Sequence, residues 1–161
     1  MERYQEIICD KEYQKMLVTI GEYEKNRQFC CHTLEHFCDV ARIMYILALE
    51  EGSMLEQDII YTTALLHDIG RAWEYEKGMP HDQASVEFAK EILARYDYCE
   101  EEILAITRAI GTHRESQEDL EEDALSYYLY QADKLSRNCF SCKSRKQCKW
   151  PDEKMNTTLI L

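Results

Sequence analysis

Residues 65–70 read LLHDIG, so an apolar helical run ends by carrying an imidazole and a carboxylate on adjacent positions, His67 and Asp68. Either group buried without a partner would be costly. A shared metal ion removes that cost, because neutral imidazole and carboxylate are the donors suited to Zn, Fe, Mn or Ni. More ligands must then come from elsewhere. The other histidines are His32, His36, His81 and His113, each near a helix end or on an apolar helical face. His36 shares a stripe with Val40, Ile43 and Leu47, and His32 lies one turn earlier. Ile60, Thr63 and His67 repeat that logic, and His113 closes a stripe of Ile106 and Ile110. His81 follows Pro80 at a helix start, on a face with Ser85, Phe88 and Ile92. Asp133 sits in SYYLYQADKL, an apolar setting for a carboxylate. Taken singly, each of these residues is more often a hydrogen-bonded core residue or a cap. Together they leave little purpose for so many inward polar rings other than binding a metal.

Helices must position this set. Two prolines and five glycines in 161 residues leave few enforced breaks, and no strand-like alternation is sustained, so the fold class is all-α. Helical spacing recurs near 2–25, 33–51, 55–69, 82–97, 100–113 and 119–138. The length is that of one compact domain, 1–161, able to bury a core without disulfides. The charged N-terminus and short apolar runs give neither signal peptide nor membrane span, which implies a soluble, cytoplasmic protein without membrane partners. A formal net charge of -12 opposes a nucleic acid polymer as partner.

The order of His36 in HFCDVA, His67 and Asp68 in HDIG, and Asp133 in ADKL resembles the HD-domain metal-dependent phosphohydrolase superfamily over about residues 30–138. In that family Val-Ala tends to follow the first histidine at four and five positions, as Val40 and Ala41 do here. The resemblance implies an all-helical bundle and a first metal held by His36, His67, Asp68 and Asp133, with His32 an accessory neighbour. PHDQASVEFAKEIL and ILAITRAIGTH place His81 and His113 where binuclear members, which include HD-type diadenosine tetraphosphate hydrolases, carry two further ligands. The resemblance thus implies two divalent transition-metal ions bridged by Asp68, iron favoured, with Mn, Zn, Ni or Co also suited. The alternative is one ion, with His81 and His113 contacting phosphate.

By the same resemblance Asp68 and Arg71 are the catalytic residues, Arg71 standing where the family often has lysine. Arg71, Arg114, Lys134 and Arg137 are the candidate phosphate-binding cations. The implied reaction is hydrolysis of a phosphate ester or anhydride in a small nucleotide or dinucleoside polyphosphate, with Trp73, Tyr127, Tyr128 and Tyr130 available to stack on a base. The competing readings are a di-iron oxygenase of the HD-like type and a nucleotide-binding regulatory module. A ferritin-like carboxylate bundle is set aside, because Thr33, Ala64, Gly78 and Ile110 stand where its Glu-x-x-His pairs would need glutamate. A homodimer is compatible with all of these readings.

The chain from residue 139 onward is a Cys-rich extension outside this pattern. RNCFSCKSRKQCKWP spaces Cys139, Cys142 and Cys148 as candidate ligands of a structural zinc, with Cys30, Cys31, Cys38 and Cys99 as sources of a fourth thiolate. An iron-sulfur cluster or free thiols are the alternatives.

Overall fold

The computed structural model describes residues 2–113 and 123–161. Asp10 divides the first helical stretch, expected as one run over 2–25. Its carboxylate accepts from the backbone N–H groups of Glu12 and Tyr13 at 2.8 and 3.1 Å, which caps a new helix. The segment is therefore α1 (Arg3–Cys9) followed by α2 (Lys11–Glu24). Then come α3 (Leu34–Glu50), α4 (Gln57–Leu66), α5 (Arg71–Lys77), α6 (His81–Leu93), α7 (Glu100–Thr112) and α8 (Ala124–Leu135). The short α5, unforeseen from periodicity, ends at Gly78, whose φ of 72° places it in the left-handed region that favours glycine. Three 3-10 turns, Cys139–Ser141, Arg145–Gln147 and Asp152–Lys154, follow α8. No strand occurs among the described residues, and the fold is all-α as expected.

The centre of the fold is α4. Eight of its ten residues are buried, as befits a helix apolar on nearly every face. It packs against α1, α3, α7 and α8. Phe37, Val40 and Met44 of α3, Ile106 and Ile110 of α7 and Leu129 of α8 close around Ile60, Leu65 and Leu66. Each large side chain so buried contributes about 1.5–3 kcal/mol. Tyr13 of α2 is fully buried and donates its hydroxyl to the Leu65 carbonyl at 3.0 Å, which satisfies an acceptor at the C-terminal end of the α4 ladder. No helix among the described residues is long and apolar enough to cross a membrane.

Arg3 ties the N-terminus to this core. Its Nε donates to Asp58 Oδ2 at 2.7 Å, and Nη1 and Nη2 donate to the two Glu102 oxygens at 2.8 and 2.7 Å. The hydrogen bond from Arg3 outweighs burial and holds the Glu102 carboxyl down to about 2. A depressed carboxyl stabilises the fold fully above its ordinary value of 4.5, and that stabilisation is lost as pH falls through about 2. Glu102→Gln is expected to cost about 1 kcal/mol at neutral pH, since both side chains are about a quarter exposed. Urea midpoints measured from pH 5 down to pH 2 should fall less steeply in that variant than in the wild type.

Candidate metal centre

Five helix ends meet at one place. Thr33 caps α3 by accepting from the His36 N–H at 3.3 Å, which sets His36 in the first turn and His32 just before it. Beyond Leu66 the chain turns tightly, with Ile69 N–H to Leu66 O at 3.4 Å and Arg71 N–H to Asp68 O at 3.1 Å. That turn carries His67 and Asp68 inward as neighbours. His81 opens α6, His113 follows the end of α7, and Asp133 lies in the last turns of α8. The turn is locked onto α6 by the Gly70 N–H, which donates to Ser85 Oγ at 2.9 Å. A Cβ on Gly70 would sit 2.7 Å from the Ala84 carbonyl carbon and closer still to Ser85 N and the His81 oxygen.

Each imidazole is anchored through Nδ1. His67 donates to the Ala64 carbonyl at 2.7 Å and His113 to the Ile110 carbonyl, one turn back on their own helices. His32 pairs with Glu24 Oε1 at 2.6 Å, His81 with Glu74 Oε1 at 3.1 Å, and His36 faces Ser136 Oγ at 3.4 Å. With Nδ1 occupied, the Nε2 atoms turn toward the two carboxylates. His81 and His113 Nε2 lie 3.4 and 3.5 Å from Asp68 Oδ1, while His32 and His67 Nε2 lie 3.3 and 3.7 Å from Asp68 Oδ2. His36 and His67 Nε2 lie 3.6 and 3.8 Å from Asp133 Oδ1. Asp68 therefore straddles two groups, one of His36, His67 and Asp133 and one of His81 and His113.

These separations test the fit of a cation. They are long for hydrogen bonds, but donors that each approach a common ion to about 2.1 Å stand some 3–3.5 Å apart. His36 Nε2, His67 Nε2 and Asp68 Oδ1 are buried with no hydrogen-bond partner among the described residues. Buried polar atoms are rarely left so. The donor atoms of His36, His67 and Asp133, and those of Asp68, His81 and His113, lie within 4.8 Å of one another in each group. The residues present fit bound cations.

Electrostatics agree. Burial, then the nearby His67, pulls His36 down to about 4, and burial lowers His81, so both rings are neutral with a free lone pair at pH 7. Burial would raise Asp68, but His67 and His113 hold it well below the usual range, and His67 does the same for Asp133. In return the two carboxylates outweigh burial at His67 and push it up. Two adjacent acids, one buried and one half-buried, demand positive charge at their centre.

A cavity of about 660 Å³ opens from this floor. Of the expected cations, Arg71, Lys134 and Arg137 line it, and Arg114 lies outside the described residues. Arg71 Nε stands 3.4 Å from Asp68 Oδ2 and Nη1 stands 3.4 Å from Glu74 Oε2. Arg27, Arg145 and Lys154 also line the cavity, unforeseen because they are distant in sequence. The expected base platforms are absent from its walls. Trp73 packs on Phe88, Tyr128 donates to Glu51, and Tyr130 lies beneath Lys134, whereas Phe29 and Trp150 are the aromatic rings that face the space. Cys139, Cys142 and Cys148 line it too, but among the described residues no three cysteine sulfurs lie within 4.8 Å of one another. Glu24 was missed altogether. It is a buried carboxylate whose other oxygen accepts the His32 N–H at 2.6 Å, and the signal for it was its place on the apolar stripe of Tyr13, Met16 and Ile20.

Residues 33–138, about two thirds of the chain, match the HD domain. The chain belongs to the HD domain family. HD domains bind divalent metals, and this one carries a buried His/Asp cluster of the right donors. An uncharacterized protein of Clostridium beijerinckii is 48% identical over 97% of each chain. Ribonuclease Y of Clostridium kluyveri is 30% identical over 73% of this chain, and ribonuclease Y 1 of Pediococcus pentosaceus is 26% identical over 76%. This HD domain spans 20% and 26% of the length of those two relatives. A crystal structure described as a predicted HD superfamily hydrolase, from an uncultured Thermotogales bacterium, shares the fold. Its TM-score is 0.63 at 21% identity, covering 88% of this chain and 79% of that one.

Gly70→Ala tests how closely the HD turn must approach α6. The added methyl meets backbone, which yields less readily than a side chain, so a loss of about 1–3 kcal/mol or more is expected in thermal or urea unfolding. The same change at Gly21, where nothing lies within 4 Å, should not destabilise the protein.

Proposed function

We propose that this chain is a metal-dependent phosphohydrolase acting on a small phosphorylated nucleotide, including dinucleoside polyphosphates, at a centre of two divalent ions. The observation that carries the reading is Asp68, whose two oxygens address two separate imidazole groups at the floor of a cavity walled by Arg and Lys. His36, His67, Asp68 and Asp133 would hold one ion, and Asp68, His81 and His113 the other, with His32 as a further donor. Iron is favoured, and Mn, Zn, Ni or Co also suit the donors. Divalent ions bring a nucleophile at neutral pH by acidifying water from about 15.7 to about 7, together with Lewis acidity toward phosphoryl oxygens.

The chain's own residues do the rest. The Nδ1 anchors fix each ring so that its Nε2 faces the site before any ion arrives. Glu24 and Glu74 steady His32 and His81 from behind. Arg71 has five N–H donors, more than its pairings with Asp68 and Glu74 use, and serves as the phosphate clamp nearest the site. Lys134 and Arg137 extend that positive wall outward, and Trp150 gives a base an aromatic surface. A cavity of about 660 Å³ suits a small ligand. A second reading, cleavage of RNA phosphodiesters, is supported by the likeness to ribonuclease Y. The net charge of -12 weighs against a polymer. The HD-like oxygenase remains the third.

One assay separates them: metal-loaded chain with mono- and dinucleoside polyphosphates, a short RNA, and an oxygen electrode for the ferrous form. Release of phosphate or nucleotide from the small substrates is expected, without oxygen uptake. His67→Ala and Asp68→Ala should each lower kcat/KM by at least about 100-fold, the upper end of what outer-shell changes cost, with helical circular dichroism unchanged. Near-native turnover in either variant, cleavage confined to RNA, or oxygen uptake without phosphate release would overturn the reading. Glu24→Gln, which keeps the size but loses the charge behind His32, is expected to weaken Mn²⁺ binding about 10- to 100-fold in calorimetry.

A further inference from the structure

The eight cysteines divide cleanly in space. Cys30, Cys31, Cys139, Cys142 and Cys148 line the cavity beside the His/Asp centre, and Cys9, Cys38 and Cys99 do not. All eight are free thiols. The segment after α8 is folded to present its sulfurs. Cys142 N–H bonds to the Cys139 carbonyl at 3.2 Å, closing the 3-10 turn Cys139–Ser141, and Cys148 N–H bonds to the Arg145 carbonyl at 3.2 Å, closing the next. Ser144, between them, donates to the Gln28 carbonyl at 2.9 Å and fastens the segment to the loop that carries Cys30.

Of the two cysteines on that loop, Cys31 turns its thiol to the Phe29 carbonyl, Sγ to O 3.6 Å, which leaves Cys30 to meet the segment across the cavity. The Cys30 thiol is raised by burial, drawn down by Arg137, and raised again by Cys139 and Cys142. Burial, Glu24 and Arg27 act instead on Cys31. Cys38 answers to Arg42, Asp39 and Glu35 on the outside of α3, and Cys99 begins α7 away from the cavity. Thus one of the four sources of a fourth thiolate meets the segment.

Spacing argues against a single zinc. Four sulfurs around a single zinc, each at about 2.3 Å, must lie within about 4 Å of one another. No three cysteine sulfurs among the described residues come within 4.8 Å of one another. In a cubic cluster each thiolate takes its own iron at a separate corner, which holds the four sulfurs wider apart. We infer that Cys30, Cys139, Cys142 and Cys148 form a second centre, independent of the His/Asp one, that binds an iron-sulfur cluster of the [4Fe–4S] class. Each thiol gives its proton to solvent as its sulfur bonds one iron, and the cluster brings its own iron and sulfide, so no cysteine changes oxidation state. Arg137 and Arg145, lining the same wall, offset the negative charge of a cluster bearing four thiolates. The cluster clasps the C-terminal segment to the loop before α3 and so fixes Trp150, Lys154 and Met155 as the outer wall of the cavity.

Acid-labile sulfide is the deciding readout, because a His/Asp centre binds iron without it. The full chain, expressed and purified without oxygen, should contain about four sulfides and show broad visible absorbance that bleaches with dithionite. Cys30→Ser and Cys142→Ser should each reduce the sulfide to background, with helical circular dichroism retained, while Cys31→Ser and Cys99→Ser keep it. The inference is overturned if the wild type holds no sulfide even after anaerobic incubation with ferrous iron and sulfide. It is equally overturned by a sulfide-free chain with zinc that depends on these four cysteines, or by full sulfide in Cys30→Ser. Should a serine variant fail to fold, the wild-type sulfide content still decides.

Discussion

Two carboxylates set among imidazoles, Asp68 buried and Asp133 half-buried, with no Arg or Lys among the described residues within 4 Å of both, form the constraint on which this molecule turns. Asp68 is 4% exposed and Asp133 lies beside it, and the nearest full positive charge, Arg71, is shared with Glu74. Within the protein the balance falls on His67, pushed toward its charged form by the two acids. A bound cation would relieve that demand, giving partners to the buried nitrogens of His36 and His67 and the buried oxygen of Asp68. The need for positive charge is thus built into the core, and helix packing sets where it arises.

Packing and chemistry are coupled because the ligand candidates sit at helix termini. A terminus leaves backbone carbonyls without intrahelical partners, and His67 and His113 use such carbonyls, Ala64 and Ile110, to fix their rings. Orientation is therefore a by-product of ending a helix at that point. Gly70 lets the HD turn press against α6, which brings His81 to the other oxygen of Asp68. Remote contacts, such as the Tyr13 hydroxyl on the Leu65 carbonyl, hold the ends together without touching the site.

Helical periodicity made the helical class and the inward faces of the histidines legible, because it is a local signal, and the resemblance to the HD family supplied the grouping of His36, His67, Asp68, His81, His113 and Asp133. What the sequence hid was long-range. Glu24 lies eight residues before His32, and only the burial of its stripe reveals it as support. Cys30 could not be told from Cys31, Cys38 or Cys99 until the chain after α8 was seen folded back over the loop at Gln28. The aromatic residues of α8 read more readily as core than as base platforms, and core packing claimed Tyr128. Asp10 escaped notice because its cap interrupts a run whose apolar spacing continues on both sides.

The central claim is that distant helix ends assemble two adjoining cation sites that share Asp68. Anomalous diffraction from crystals grown with Mn²⁺ measures this most directly. Two peaks are predicted, one ringed by His36, His67 and Asp133 and one by His81 and His113, with an Asp68 oxygen bound to each. A map without density between these side chains, or Mn²⁺ confined to surface carboxylates, would contradict it.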